Sequence, residues 1–291
     1  MSGIYVHIPF CKQACHYCNF HFSTQLERKS QLVDSIISEI HWRNSYLKDV
    51  NIQTIYFGGG TPSLLTHQEL SNILAAIRSE YQISAGAEIT LEANPDDLSK
   101  AKLASLHQLG INRLSIGVQS FFQEDLEYMN RSHNASQALD CIHQAHSLGF
   151  QNISIDLIYG SPTTTDEMWQ QNVQQALDLS IPHLSCYALT VEPKTALAHF
   201  IKTQQYVEPD ENAAARQFEY LVEQTKEHNF LHYEISNFAL LNQISQHNTN
   251  YWRGVPYIGI GPAAHSYDGN SRQWNVAHLS LIHISEPTRP Y

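Results

Sequence analysis

The sequence has 291 residues, of which 42% are hydrophobic and 15% charged, and its formal net charge is −11. This acidic balance excludes nucleic-acid binding through a basic stripe, because little positive charge is present to neutralise phosphates. No apolar run approaches the roughly 18 residues of a membrane-spanning helix, and the N-terminus lacks a signal-peptide pattern. We therefore expect a globular cytoplasmic protein without a transmembrane segment.

Six short runs rich in β-branched residues alternate with longer segments of helical period. The predicted strands are residues 4–8, 54–59, 88–93, 113–118, 152–159 and 183–190. The helices predicted between them lie near 26–48, 66–80, 98–108, 134–148 and 165–178. This alternation is typical of parallel βαβ units, and strands that are almost wholly apolar indicate a sheet covered on both faces. The sequence therefore predicts an α/β fold.

Several of these strands end in residues that are too polar for a core. They are Gly59, Gly60, Glu92, Gln119 and Asp156. The carboxyl ends of parallel strands in a barrel meet at one mouth, which is where ligands bind. A helix N-cap or a turn is the alternative for each residue alone. Their recurrence at four strand ends predicts a binding site.

The pattern changes after the sixth predicted strand. Residues 209–229 predict one more helix, with Asp210 as its N-cap. We expect a core domain at 1–200 and a C-terminal extension at 201–278. Residues 279–291, LSLIHISEPTRPY, resemble the translation of a sequencing adapter, so we interpret them as an artefact that truncates the extension.

Three of the five cysteines, Cys11, Cys15 and Cys18, lie within eight residues directly after the first predicted strand. One interpretation is a structural zinc site with His21 as the fourth ligand. Zinc ligands, however, usually come as two separated pairs. The other interpretation is a cubane iron–sulfur cluster, held at three irons and open at the fourth. Both favour metal chemistry over a disulfide framework.

This cysteine motif, with Tyr17 before its last cysteine and GGGTP (58–62) at the end of the second strand, resembles the radical S-adenosylmethionine (SAM) superfamily. The resemblance implies a partial (β/α)6 barrel with a [4Fe–4S] cluster on Cys11, Cys15 and Cys18. In that family SAM chelates the open iron and is cleaved to a 5′-deoxyadenosyl radical.

The resemblance also implies a SAM site at the mouth of the barrel. Glycines at a strand end leave room for a ligand to approach the backbone, and carboxylates suit the ribose hydroxyls. For Arg131, a surface salt bridge is the alternative to a contact with SAM. The implied residues are Tyr5, Tyr17, Gly59, Gly60, Thr61, Glu92, Gln119, Arg131 and Asp156.

Further motifs place the resemblance in the HemN/HemW subfamily, which contains oxygen-independent coproporphyrinogen III oxidases and haem chaperones. These motifs are YVHIPFC, GGGTP, RLSIGVQSF, IDLIYGSP and YIGIGPAAHS, between residues 4 and 267. The oxidases carry a further cysteine two positions after the third, where this chain has Phe20, and an N-terminal extension, whereas Cys11 lies near the start here. Both departures disfavour the oxidase.

The stretch HNTNYW matches a motif of the haem-chaperone branch and implies that His247, Asn248, Tyr251 and Trp252 bind haem. Histidine is a usual axial ligand of haem iron, and aromatic rings pack against a flat macrocycle. A turn with two core aromatics and a capping Asn is the alternative.

We therefore expect a haem chaperone that binds haem, a [4Fe–4S] cluster and SAM. Its expected partners are haem-accepting proteins, membrane-associated respiratory-chain proteins among them, and a homodimer is left open. The alternative function is radical decarboxylation of porphyrinogen propionates by a coproporphyrinogen III oxidase. A zinc-stabilised barrel is the third interpretation.

Overall fold

The structure is a computed structural model that describes residues 2–278, and the strands of this part form one sheet. The strands are β1 Ser2–Ile8, β2 Asn51–Gly59, β3 Gln82–Ala93, β4 Arg113–Gln119, β5 Asn152–Tyr159, β6 His183–Ala188, β7 Leu231–His232, β8 Asn237–Ala239, β9 Tyr257–Ile260, β10 His265–Tyr267 and β11 Arg272–Trp274. The α-helices are α1 Lys29–Trp42, α2 His67–Glu80, α3 Lys100–Leu109, α4 Gln123–Tyr128, α5 Ala135–Ser147, α6 Asp166–Asp178, α7 Ala196–Lys202, α8 Glu211–Glu227 and α9 Gln246–Trp252.

Strands β1 to β6 pair in chain order and are all parallel, which confirms the predicted α/β fold. Strand β9 pairs parallel to the other side of β1, and β10 and β11 continue antiparallel beyond it. At the opposite edge, β8 and β7 pair antiparallel next to β6. The sheet is open within residues 2–278, and the strands after residue 200 extend both of its edges.

The parallel strands form because each buries apolar side chains against the helices that connect them. Val6, Phe57, Leu91 and Ile116, from four successive strands, are fully buried. Burying one such side chain contributes roughly 1.5–3 kcal/mol. The helices begin at residues that satisfy their free N–H groups, as at Thr66, which forms a capping box at the start of α2. The strand order therefore follows from the alternation of strands and helices in the sequence together with the packing of the helices on the sheet.

Three short helices depart from the sequence-based prediction. Helices α4 and α7 were not predicted, and α9 occupies the HNTNYW stretch, for which a turn was the alternative to a haem site. Each has only six or seven residues, which is too short to show a helical period in the sequence. By contrast, α8 begins after Asp210, whose side chain accepts from the Asn212 N–H, as predicted.

No helix between residues 2 and 278 is long and apolar enough to cross a membrane. The expected adapter artefact, residues 279–291, lies outside the described residues. The predicted boundary at residue 200, between a core domain and a C-terminal extension, remains a proposal.

Candidate functional site

The three cysteines lie on one loop between β1 and α1, residues 9–23, which we call the cysteine loop. Its two ends are joined by backbone hydrogen bonds, from Cys11 N to Ser23 O at 3.0 Å and from Ser23 N to Pro9 O at 2.6 Å. Cys11, Cys15 and Cys18 are partly buried, and their thiols are free. The loop thus presents three thiols side by side at the carboxyl end of β1.

A second set of contacts ties the cysteine loop to the segment between α4 and α5. Gln13 donates from Nε2 to Asn130 Oδ1 at 2.7 Å, and Asn130 donates from Nδ2 to Ala14 O at 2.8 Å. His16 shares a hydrogen bond from Nδ1 with Tyr128 O at 2.9 Å. The loop is therefore held at both ends and along its middle before any metal binds.

The described side chains do not form a ready-made zinc site. Among residues 2–278, no three His, Cys, Asp or Glu side chains come together in a way that could hold a single metal ion. His21 lies instead against His7, with ring centroids 6.4 Å apart. The four ligands of the zinc interpretation are therefore not assembled among these residues.

The pKa values of two of these thiols lie above the ordinary value of a cysteine. Burial, together with the neighbouring Cys15 and Cys18, raises the pKa of Cys11 to about 11, against a hydrogen bond from Thr61. Burial likewise raises the pKa of Cys18. Metal ligation requires thiolates, so binding of iron would have to displace these protons.

Arg131 links the cysteine loop to β4. It donates from Nη1 to Cys15 Sγ at 3.2 Å and from Nη2 to Asn94 Oδ1 and Gly117 O, both at 2.8 Å. Its Nε is buried and has no hydrogen-bond partner among the described residues. The contacts show that Arg131 does not form the surface salt bridge that was its alternative. Its orphaned N–H fits an anionic ligand such as a carboxylate.

Two more residues of the predicted site lie near this guanidinium. Tyr17 accepts from Arg131 Nη1 at 3.4 Å and packs against a small apolar cluster that includes Met129 and Leu197. Gln119 ends β4 in a left-handed conformation, with φ of 68°. This conformation is costly for a residue with a side chain, so the structure around it must impose it.

The glycines of GGGTP are required by packing as well as by room for a ligand. Gly59 has φ of 112°, and a Cβ there would lie 2.6 Å from the His7 ring. A Cβ on Gly60 would lie 2.7 Å from the carbonyl oxygen of Phe10, next to Cys11. Side chains at either position would push the end of β2 away from the cysteine loop.

Two carboxylates face each other across the carboxyl ends of β3 and β5. Glu92 accepts from Tyr56 Oη at 2.8 Å and from Gly59 N at 3.0 Å. Burial, together with the charge of Asp156, raises the pKa of Glu92 to about 7, against the hydrogen bonds from Tyr56 and Gly59. Burial raises the pKa of Asp156 to about 6, against the opposing effects of Arg131 and the Ser185 hydroxyl. Both sites can accept hydroxyl donors once ionised.

These carboxylates border a polar cavity of about 60 Å³ inside the sheet. Because side chains from β2 through β6 all line it, the sheet must curve around it. Arg113, which is only 2% exposed, contributes a positive charge from β4. The lining residues are Tyr56, Glu92, Arg113, Ser115, Ser154, Asp156, Ser185, Tyr187, Ser245 and Asn248.

Helix α9 places the four residues proposed for haem in different environments. His247 is 2% exposed, Asn248 lines the cavity, and Tyr251 and Trp252 are 38% and 65% exposed. Tyr5 stacks with its ring centroid 6.4 Å from that of His247 and hydrogen-bonds His7 Nδ1 at 3.1 Å. The residues assigned to SAM and those assigned to haem therefore meet at Tyr5.

The radical SAM superfamily model matches residues 5–176. The chain belongs to the radical SAM superfamily. Two haem chaperones named HemW are 36% identical to it. The match to HemW of Bacillus subtilis covers 100% of this chain and 78% of that protein, and the match to HemW of Lactococcus lactis covers 99% and 75%.

A solved radical SAM enzyme has the same fold. Coproporphyrinogen III oxidase (HemN) from Escherichia coli superposes with a TM-score of 0.83 over 96% of this chain and 68% of that chain. The sequence identity of 24% limits this likeness to the fold. The resemblance to the HemN/HemW subfamily is thereby confirmed, and the radical SAM assignment implies a [4Fe–4S] cluster and SAM as cofactors.

Sequence reasoning missed several residues that organise this radical SAM site. Asn94 and Gly117 hold Arg131, while Thr54 and Glu88 hold α9. Arg113 carried a usable signal, because a charged residue at the start of an otherwise apolar strand is unusual. The others look like ordinary polar residues in the sequence, and only their partners reveal their roles.

Proposed function

We propose that this protein is a haem chaperone of the radical SAM superfamily, which binds haem and transfers it to haem-accepting proteins. The observation that carries the proposal is the 36% identity to HemW over the whole chain. The HNTNYW stretch supports it, because α9 carries two exposed aromatic rings, Tyr251 and Trp252, on the same short helix as the buried His247. Phe20, at the position of the extra cysteine of the oxidases, is 71% exposed and offers no ligand.

In this proposal Cys11, Cys15 and Cys18 hold the [4Fe–4S] cluster. Bound there, the cluster would supply an electron for reductive cleavage of SAM. Arg131 keeps positive charge beside Cys15 and offers its free Nε–H to the SAM carboxylate. Tyr17 accepts a hydrogen bond from the guanidinium and helps to hold it in place, and Gln119 lies near it at the end of β4.

The other residues of the proposed SAM site bind and orient the ribose. Glu92 and Asp156 accept hydrogen bonds from its hydroxyls, for which both carboxyl groups must be ionised. Tyr56 Oη and Gly59 N donate to the two oxygens of Glu92 and so hold it in one orientation. Gly60 and Thr61 lie beside the cysteine loop, on the path by which SAM would approach the cluster. Tyr5, on β1, borders the same path.

In the proposed haem site, His247 would ligate iron, and Tyr251 and Trp252 would cover the macrocycle. Asn248 would support His247 from the cavity side of α9. Burial lowers the pKa of His247 to about 3, which keeps its imidazole neutral, the form that can donate to iron. The buried imidazole has to become accessible before it can do so.

A haem titration with a transfer step tests the proposal. Haem is added to the purified protein, the Soret band is followed, and haem-free acceptor protein is then supplied. We expect a Soret shift, transfer to the acceptor and weaker binding by His247→Ala than by His228→Ala, which changes an exposed histidine at the C-terminal end of α8. No Soret shift, combined with decarboxylation of coproporphyrinogen III in the presence of SAM and reductant, would favour the oxidase instead.

We further propose that the protein acts in the cytoplasm. The identity of the acceptors, including membrane-associated respiratory-chain proteins, and the formation of a homodimer stay predictions of the same proposal. The transfer assay addresses acceptors directly, and sedimentation with and without haem addresses the dimer.

A further inference from the structure

Helix α9 holds His247 in a closed position. Its Nδ1 shares a hydrogen bond with Thr54 Oγ1 at 2.8 Å, and its Nε2 shares one with Tyr251 Oη at 2.8 Å. A neutral imidazole has one nitrogen lone pair available for iron, and here both nitrogens are engaged within the protein. Ligation of haem by His247 therefore requires that at least one of these contacts breaks.

The start of α9 is also clamped to the sheet. Glu88 on β3 is buried and accepts from His247 N through Oε1 and from Gln246 N through Oε2, both at 3.0 Å. Ser245 accepts from Asn248 N at 3.3 Å. A carboxylate at the N-terminus of a helix interacts favourably with its free N–H groups and its dipole. The clamp thus adds to the cost of moving His247.

In its closed position, helix α9 is in direct contact with residues of the proposed SAM site. The His247 ring stacks on Tyr56 at a centroid distance of 5.0 Å, and Tyr56 donates to Glu92 at 2.8 Å. Asn248 lines the same cavity as Glu92 and Asp156. Moving α9 would remove one wall of that cavity and one of the two rings that stack on Tyr56, the other being Tyr5.

We propose that α9 is a latch that must open for haem to reach His247. Thr54 and Glu88 are the positioning residues that keep it closed. SAM bound at Glu92 and Asp156 favours the closed form. Haem and SAM then oppose each other. The affinity of haem is reduced by the fraction of protein whose latch is open, so loosening the latch raises it. Because coupling between two sites is reciprocal, each ligand weakens the other by the same factor. The haem part rests on the proposed function.

The first experiment loosens the latch. Thr54→Val keeps the shape of the side chain but removes the hydroxyl that bonds His247. We expect haem to bind roughly 3–10-fold more tightly, which corresponds to the loss of one buried hydrogen bond. The matched control is Thr90→Val on β3, since Thr90 is equally buried and its Oγ1 has no partner among residues 2–278. Its haem affinity should not change. A merely structural role for Thr54 predicts weaker binding, which would overturn the latch.

The second experiment measures the coupling. Haem is titrated into cluster-reconstituted protein with and without saturating SAM, and SAM is titrated with and without haem. We expect each ligand to raise the Kd of the other by the same factor, of roughly 3-fold or more. Equal affinities with and without the second ligand would overturn the opposition between haem and SAM.

A third measurement does not depend on haem. Hydrogen exchange of the amides in Gln246–Trp252 should become faster in Thr54→Val and in Glu88→Gln, and slower on addition of SAM. Glu88→Gln also serves if Thr54→Val does not fold. Unchanged exchange in a folded variant would overturn the latch, and unchanged exchange with SAM would overturn the coupling. If haem fails to bind while exchange behaves as expected, the chaperone proposal and the haem part of this inference fall, whereas the restraint of α9 by Thr54 and Glu88 and its coupling to SAM stand.

Discussion

Arg131 donates a hydrogen bond from Nη1 to the Sγ of Cys15 at 3.2 Å, across 116 residues of sequence. The same guanidinium binds Asn94 and Gly117 through Nη2. One side chain therefore joins the cysteine loop to the ends of β3 and β4, between the proposed cluster and the proposed SAM carboxylate. A bidentate, planar cation is suited to this position because it can donate in several fixed directions at once.

Replacing Arg131 by Lys should weaken SAM binding about 10-fold or more, because an ammonium group cannot serve the Asn94, Gly117 and ligand acceptors together. Calorimetric titration of SAM into cluster-reconstituted protein measures the effect. The control is Arg216→Lys, an exposed residue that pairs with Asp166 on the surface. Equal SAM affinity in the two variants would remove Arg131 from the site.

Each of the substitutions Cys11→Ala, Cys15→Ala and Cys18→Ala should abolish the iron–sulfur absorption after anaerobic reconstitution, because three thiolates are needed to hold the cluster. Cys141→Ala is the control. That residue is buried within α5, so its loss should cost stability and leave the absorption intact. Near-stoichiometric zinc without iron in the unsubstituted protein would contradict the cluster.

Gly60→Ala should reduce both the cluster content and the SAM affinity. The added Cβ would meet the carbonyl oxygen of Phe10 at 2.7 Å and displace the cysteine loop. Iron content and SAM binding are measured in parallel. Gly86→Ala is the control, because nothing lies within 4 Å of the position of its Cβ. A full cluster combined with lost SAM binding would mean that Gly60 serves the ligand alone.

The contribution of Glu92 to the stability of the SAM-free protein should fall as the pH rises from about 4.5 to 7. The pKa of Glu92 is raised on folding from 4.5 to about 7, so the folded state binds more protons in this range than the unfolded state does. The slope is at most about 1.4 kcal/mol per pH unit for one group. In urea unfolding at several pH values between 4.5 and 7, the unfolding free energy of Glu92→Gln should have a more positive slope against pH than that of the unsubstituted protein. Glu219→Gln, at an exposed site on α8, should leave the slope unchanged.

The same protonation should make SAM binding depend on pH in the opposite sense. Glu92 and Asp156, with pKa values raised to about 7 and about 6, accept ribose hydroxyls only when ionised. We expect the SAM affinity to rise between pH 6 and pH 8 and to level off above that range. A pH-independent affinity would indicate that the ribose is bound elsewhere.

The features that the sequence determined by itself are local ones. The spacing of Cys11, Cys15 and Cys18 confines three thiols to one loop whatever the rest of the chain does. The alternation of apolar runs with helical segments leaves a parallel α/β sheet as the arrangement that buries both faces. Gly59, Glu92 and Asp156 could be placed near one another because parallel strands end at the same edge.

Only the tertiary structure decided how these parts control one another. Arg131 reaches Cys15, and Thr54 reaches His247, across 116 and 193 residues, and no period or spacing in the sequence encodes such a pairing. The accessibility of His247 likewise depends on where α9 packs, since a seven-residue helix carries too little pattern to predict its buried face. Long-range side-chain contacts of this kind depend on the packing of the whole sheet. The motif therefore identifies His247 as a candidate ligand, but only the fold shows that this histidine is buried.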